Sequence, residues 1–417
     1  MSYLFSGLLP IVTLLFFVAV GLVLIDLILL FKQKGISAVR VLPEKLSNGD
    51  DNPIVLTLQN NYNFKTDLQL IDELPFQYQK RDFQINTQLV KGQKKKITYT
   101  LRPLERGEYY FGNLNVFVNS PIALVTRRFQ FAKDAMVPNY PSFLQLRKYM
   151  LIAFSNKLFE YGLKKIRRIG HTMEFGQIKD YVTGDDIRNI NWKATAKRNQ
   201  LMVNQFQDER SQPIYSIIDK GRAMKMPFDG LSLLDYAINA TLVISNVALK
   251  KQDKAGMFTF SRKVENRVVA ERRPSQMNTI LETLYNVNTD FSESDFSRLY
   301  IDVKRNITQR SLLLMYTNFE TLDALHRQLP YLQAIAKNHL LVVIFFENTE
   351  LDALIKENAE DLLSIYHKTI AEKFVFEKRL MVKELHKYGI QSILTTPEHL
   401  TINTINKYLE IKARGLI

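Results

Sequence analysis

No cysteine occurs in the 417 residues, which excludes disulfides, thiolate chemistry and zinc or iron-sulfur centres held by cysteine. Histidine is sparse. The six present are His171, His326, His339, His367, His386 and His399, and none falls in the H-x-x-x-H or HExxH spacing that sets two imidazoles on one helix face. The G-x-S-x-G elbow of an esterase-type nucleophile is missing, as is a glycine-rich loop for phosphates. Tryptophan occurs once, at Trp192. There is no internal repeat, and the Lys94-Lys95-Lys96 run is the sole low-complexity stretch.

What is present is an ordinary apolar fraction of 46% with a basic balance, 56 Lys and Arg against 42 Asp and Glu, for a formal charge of +14. Such a length accommodates two or three domains with at least one sizeable core. The charge favours an anionic neighbour. Nucleic acid is not the expected one, because no basic stripe interleaved with aromatics and no reader motif accompanies the charge.

The single long apolar run, residues 8 to 30, is interrupted by Thr13 and Asp26. As a helix it spans roughly 35 Å, enough to cross a bilayer. No Lys or Arg precedes it, the run is too long for a signal-peptide core, and no small-x-small cleavage site follows. Residues 1–35 therefore read as a membrane anchor. Lys32, Lys34 and Arg40 follow the run, so the positive-inside bias puts the anchor in the inner (cytoplasmic) membrane with everything beyond it in the cytoplasm. Asp26, within two turns of the end, reads as a residue near the headgroups.

Beyond the anchor, residues 36–133 alternate apolar and polar positions with a period of two, as in Ile54, Leu56, Leu58 or Leu114, Val116, Val118. Turn chemistry at Asn48-Gly49-Asp50, Lys91-Gly92, Arg106-Gly107 and Ser120-Pro121 divides them. Short strands at this spacing predict a small antiparallel β-sandwich, immunoglobulin-like in architecture. Residues 134–211 form a connecting region with a helical pattern over 144–159 and a basic run at Lys164, Lys165, Arg167 and Arg168. In residues 212–417 strands at 214–218, 255–260, 311–316, 340–346 and 391–394 alternate with helices at 231–250, 276–284, 296–305, 322–337, 365–388 and 399–412. This alternation predicts an α/β domain, a doubly wound and mostly parallel sheet covered on both faces.

The densest chemistry lies in the connecting region, from Glu174 through Asp180, Tyr181, Gly184, Asp185, Asp186, Arg188 and Trp192 to Arg198. The order E-x5-D-Y-x2-G-D-D-x-R-x-I-x-W-K-A-x-A resembles the signature of the domain-of-unknown-function family 58, bacterial membrane-anchored proteins with a von Willebrand factor A-like domain. The resemblance implies that the α/β domain has that fold. It also implies a protein partner, a MoxR-type AAA+ ATPase, in chaperone-like assembly or maturation of envelope or other complexes. Relatives often carry two membrane spans where this chain shows one.

A von Willebrand A domain would carry a metal-ion-dependent adhesion motif, D-x-S-x-S, after its first strand. Here that stretch reads Asp219-Lys220-Gly221-Arg222-Ala223, and the later acidic position falls at Thr317-Asn318. A hard divalent cation needs several well-placed oxygens, so Asp219 is expected to bond loop amides instead of a metal, and no cofactor is expected. Within the block, Asp185 is expected to accept backbone N–H bonds, Arg188 and Arg198 to neutralise Glu174 and Asp180, and Trp192 to anchor the block in the core. Two functions from different classes follow. One is a membrane-tethered cytoplasmic scaffold or adaptor that captures a protein partner. The alternative is a magnesium-dependent hydrolase, which requires Glu174, Asp180, Asp185 and Asp186 to converge.

Overall fold

The computed structural model describes residues 9–144, 173–183, 185–208, 211–356 and 361–416. The chain divides into two compact units, Met1–Ser142 and Phe143–Ile417. The expected helix over 144–159 and the basic run at 164–168 lie outside the described residues.

The first unit begins with the apolar helix Leu9–Phe31, of which Ile11–Phe31 is long and apolar enough to cross a membrane. Its last turns pack onto strands. Leu30 is buried in the same core as Ile36, Leu56, Leu70 and Val116, and its carbonyl accepts from the Tyr62 hydroxyl at 2.7 Å. Asp26, expected near the headgroups, bonds to the β unit. Its carboxylate is fully buried and takes the backbone N–H groups of Leu124 (2.9 Å) and Val125 (2.8 Å), because the loop there offers two amides that no strand uses. Arg40, which follows the apolar run in sequence, is buried. It forms a buried pair with Asp72 at 2.5 Å, and Asp72 accepts as well from the Tyr99 hydroxyl at 2.5 Å. Arg127 stacks on Phe31 and donates to the Gln33 carbonyl at 2.8 Å.

Three sheets make up the rest of this unit. Ile36–Val41, Asn52–Asn60 and Lys94–Leu101 form one antiparallel sheet with Asn52–Asn60 in the middle. Gln84–Leu89, Thr66–Asp72, Leu114–Asn119 and Thr126–Phe131 form a second, also antiparallel. The period-two pattern turns alternate residues inward, and the inward residues of both sheets share one core. In the third sheet Ala135–Tyr140 lies between Leu46–Ser47 and Gly107–Phe111. That strand carries the β unit past the expected boundary at residue 133, because Val137 joins Leu46, Ile54, Leu101, Tyr109 and Phe111 in a second core.

The second unit contains a six-stranded sheet in the order Val264–Glu271, Lys254–Phe260, Pro213–Asp219, Leu312–Tyr316, Leu340–Phe346, Gln391–Thr395. All neighbours are parallel except Val264–Glu271, which is antiparallel. Runs such as Leu312–Tyr316, buried at every position, read as strands covered on both faces. Ile218, Leu314, Tyr316 and Ile344 face a core with the helices Leu233–Lys250 and Leu400–Ala413. Ile217, Leu313, Met315 and Val343 face the other, with Phe296–Asn306, Leu322–Ala336 and Leu362–Lys387. Capping fixes several of these helices. Ser232 and Asp235 form a reciprocal capping box at the first, and Asp295 accepts the Ser297 and Arg298 amides at 2.9 and 3.1 Å. From Pro213–Asp219 the chain winds outward in one direction and then returns to Leu312–Tyr316 on the other side. Strand order therefore reverses between these two, and ligands of open parallel sheets bind beyond the carboxyl ends of strands at such a point.

The same unit holds a separate antiparallel hairpin, Met173–Asp180 paired with Met202–Asp208. The connection between its strands carries the turn Ile187–Asn189 and the short helix Trp192–Arg198. The edge strand Val264–Glu271 and the helix Thr349–Lys356 are additions to the elements read from the sequence.

Candidate functional site

Asp219 ends the strand Pro213–Asp219 at the reversal point and is 3% exposed. Three protein donors hold its carboxylate. The Gly221 amide donates to Oδ1 at 2.8 Å, the Ser294 hydroxyl also donates to Oδ1, and the Thr317 hydroxyl donates to Oδ2 at 2.7 Å. Burial pushes the Asp219 carboxyl upward from the ordinary carboxylate range, and the Ser294, Thr317 and Gly221 hydrogen bonds oppose that rise. The arrangement ties two adjacent strand ends to the loop that precedes the helix Phe296–Asn306.

That loop is drawn in by further bonds. The Ser292 carbonyl accepts from the Arg222 amide at 2.9 Å, the Thr289 hydroxyl donates to the Lys220 carbonyl at 2.9 Å, and the Ser261 hydroxyl donates to Asp290. Gly221 permits the closure. A Cβ at this position would stand 2.3 Å from Ser294 Oγ and 2.9 Å from the Ser292 carbonyl oxygen. Arg222, next in the chain, points to solvent, and Ala223 lies in the turn Arg222–Lys225. Asn318 turns away from Asp219, its Oδ1 accepting from Lys378 Nζ at 2.6 Å. The expected bond from Asp219 to a loop amide is present. Two partners were not legible in the sequence, Ser294 from 75 residues downstream and the ion pair of Lys220 with Glu265 at 2.5 Å. Among the described residues, no three His, Asp or Glu side chains are placed to hold one metal ion.

The hairpin spreads the acidic block out. Glu174 and Asp180 sit six positions apart on one extended strand, paired opposite Gln207 and Met202, so their backbones are separated by roughly 20 Å. Tyr181 continues the ladder, its amide donating to the Leu201 carbonyl at 2.8 Å. Asp185 closes the turn that follows, accepting from the Val182 amide at 3.0 Å and from Lys179 Nζ at 2.8 Å. The Lys179 bond is the main cause that holds the Asp185 carboxyl below its usual range. Asp186 caps the turn Ile187–Asn189 through the Arg188 amide at 3.0 Å, and Asn191 caps the helix Trp192–Arg198 through the Ala194 amide at 3.0 Å.

Two expectations for the block do not hold. Among the described residues neither Arg188 nor Arg198 pairs with Asp180; Arg188 lies within the tight turn Ile187–Asn189 and Arg198 ends a helix, both facing solvent. Trp192 is not a core anchor. It begins its helix 70% exposed, and Ile187 (69%) and Val182 (62%) are exposed on the same connection. The Glu174 side chain and Gly184 lie outside the described residues.

Residues 177–353 match the family model described as "Protein of unknown function DUF58", so the chain carries a DUF58-family domain that takes in both the exposed block and the Asp219 junction. The curated protein YeaD of Bacillus subtilis, described as uncharacterized, is 23% identical over 166 residues, covering 40% of this chain and 39% of its own length. The chain thus spans about two fifths of that relative. Among solved structures, the conserved hypothetical protein BatB from Bacteroides thetaiotaomicron aligns over 49% of this chain and 100% of its own, at 12% identity and a TM-score of 0.30. The PapD-like domain 7 of human CEP192 aligns over 25% of this chain and 84% of its own, at 13% identity and a TM-score of 0.21. Likeness this slight transfers neither fold name nor function.

Proposed function

We propose that the chain is a membrane-tethered adaptor. Its apolar helix crosses the inner membrane, the β unit is an immunoglobulin-like sandwich on the cytoplasmic side, and the α/β domain is von Willebrand factor A-like and captures a protein partner. The observation that carries the proposal is the exposed connection of the hairpin, where Trp192, Ile187 and Val182 offer apolar surface to solvent. Surface tryptophan with apolar neighbours is the composition of an interface centre. The resemblance of the block to its family points to a MoxR-type AAA+ ATPase as the occupant.

The Asp219 junction supports capture that does not run through a metal, since its oxygens already serve three protein donors. The magnesium-hydrolase alternative needs several carboxylates at one point, and the separation of Glu174 from Asp180 along a strand counts against it. Lys32 and Lys34 after the helix favour the cytoplasmic placement. The test is co-purification of the full chain from detergent-solubilised membranes, once in magnesium and once in EDTA. An AAA+ ATPase retained in both buffers supports the adaptor. Loss of all protein partners in both, with magnesium-dependent turnover of a phosphoester, supports the hydrolase.

A further inference from the structure

The carboxyl ends of the sheet strands hold a second feature, on the side of the reversal point away from Ser294. A cavity of about 400 Å³ opens between the segments that follow Pro213–Asp219, Leu312–Tyr316 and Leu340–Phe346 and the helix Leu362–Lys387. Its volume lies within the range of about 300 to 1,000 Å³ seen for small-molecule sites, and its position is where such sheets bind ligands. Phe228, Leu233, Phe346, Phe374 and Leu394 supply most of the apolar wall.

One cation is built into this wall. Lys378 is half-buried, and its ammonium donates to Asn318 Oδ1 at 2.6 Å and to the Phe319 carbonyl at 2.5 Å, near the face of the Phe345 ring. An ammonium carries three N–H donors, so one is left over. Among the described residues no carboxylate comes within ion-pair distance of it. Glu320 acts on it only from farther off, and burial pushes its pKa down to about 8. A charge half withdrawn from water without a counter-ion carries a cost, and an anion brought by a ligand would relieve it.

We propose that this cavity binds a small amphiphilic carboxylate, with the anionic end on Lys378 and the apolar body among Phe228, Phe346, Phe374 and Leu394. The other charged groups of the wall are Glu320, Glu347 and Arg379. Glu320 and Arg379 face solvent and bias the entrance; Glu347 is half-buried like Lys378, which is the one cation set within the wall. The inference stands apart from partner capture, which uses the hairpin.

The probe is 4-phenylbutanoate, compared with the alcohol and the amine of the same carbon skeleton, by saturation-transfer NMR on the full chain in nanodiscs at pH 7, with empty nanodiscs as the partition control. The carboxylate is expected to bind at least tenfold more tightly than the alcohol, and the amine more weakly than either. Lys378→Met should remove that tenfold preference and leave the alcohol's affinity unchanged. Phe374→Ala removes apolar wall without touching the ammonium, so it should weaken acid and alcohol alike, and it tests the site if Lys378→Met does not fold. Binding no greater than to empty nanodiscs, equal affinity for acid and amine, or an acid affinity that neither variant changes would overturn the proposal.

Discussion

Gly221 and Ser294 share one space, since a Cβ at position 221 would fall 2.3 Å from the Ser294 hydroxyl that donates to Asp219. A side chain at position 221 and the inward loop are mutually exclusive, so the closed junction depends on this glycine.

Gly221→Ser should therefore push out the loop that bears Ser294. Overpacking of this kind costs about 1 to 3 kcal/mol, read as a lower melting temperature with faster hydrogen exchange at residues 287–295. Adding Ser294→Gly to it should recover part of the loss, a coupling that distant, independent sites do not show. Strictly additive effects of the two substitutions would mean that the clash is absent.

Asp26→Ala removes the acceptor of two part-buried amides, those of Leu124 and Val125. Each such bond contributes about 0.5 to 1.5 kcal/mol net, more where the acceptor is charged. Thermal unfolding of the full chain in nanodiscs should show the β unit weakened, with faster exchange at residues 122–126. An unchanged profile would mean that these two bonds do not stabilise the β unit.

The pair of Arg40 with Asp72 makes a sharper prediction, because both partners are buried. Asp72→Ala leaves the guanidinium without its counter-ion, and breaking a buried pair from one side costs about 3 to 5 kcal/mol. Replacing both with apolar residues, Arg40→Met and Asp72→Leu, should cost less than Asp72→Ala alone. Denaturant melts of the three variants give the comparison.

Lys378 gives the α/β domain a pH dependence. Its folded pKa is pushed down to about 8 by burial, below the roughly 10.4 of an unfolded lysine. Between those values the unfolded chain binds the extra proton, so stability should rise with pH through this window, and the cost of the charge is fully present below about pH 8. Lys378→Met should flatten the rise. Urea melts from pH 7 to pH 10 decide it.

The sequence made the parallel strands legible because each is a short apolar run between helical periods, as in Leu340–Phe346. It hid Val264–Glu271, an edge strand with one face in water and two register shifts against its neighbour. For the site, Asp219 could be placed from its position at a strand end. Ser294 could not, since a serine in a polar loop has no periodic signal and its role comes from chain closure across the sheet. Trp192 misled for a related reason. Size favours burial on average, but the cap at Asn191 and the turn at Ile187–Asn189 hold that helix on the surface.

Capture through that exposed surface is the centre of the account. The most direct measurement is the affinity of a purified MoxR-type AAA+ ATPase for the full chain in nanodiscs, with Trp192→Ala and Ile187→Ser beside the unaltered protein. Exposed positions contribute little to folding, within about 0.5 kcal/mol, so both variants should keep the melting temperature while binding at least tenfold more weakly, as truncated interface anchors do. Undiminished affinity in both variants, or a collapse in melting temperature in place of a loss of binding, would contradict it.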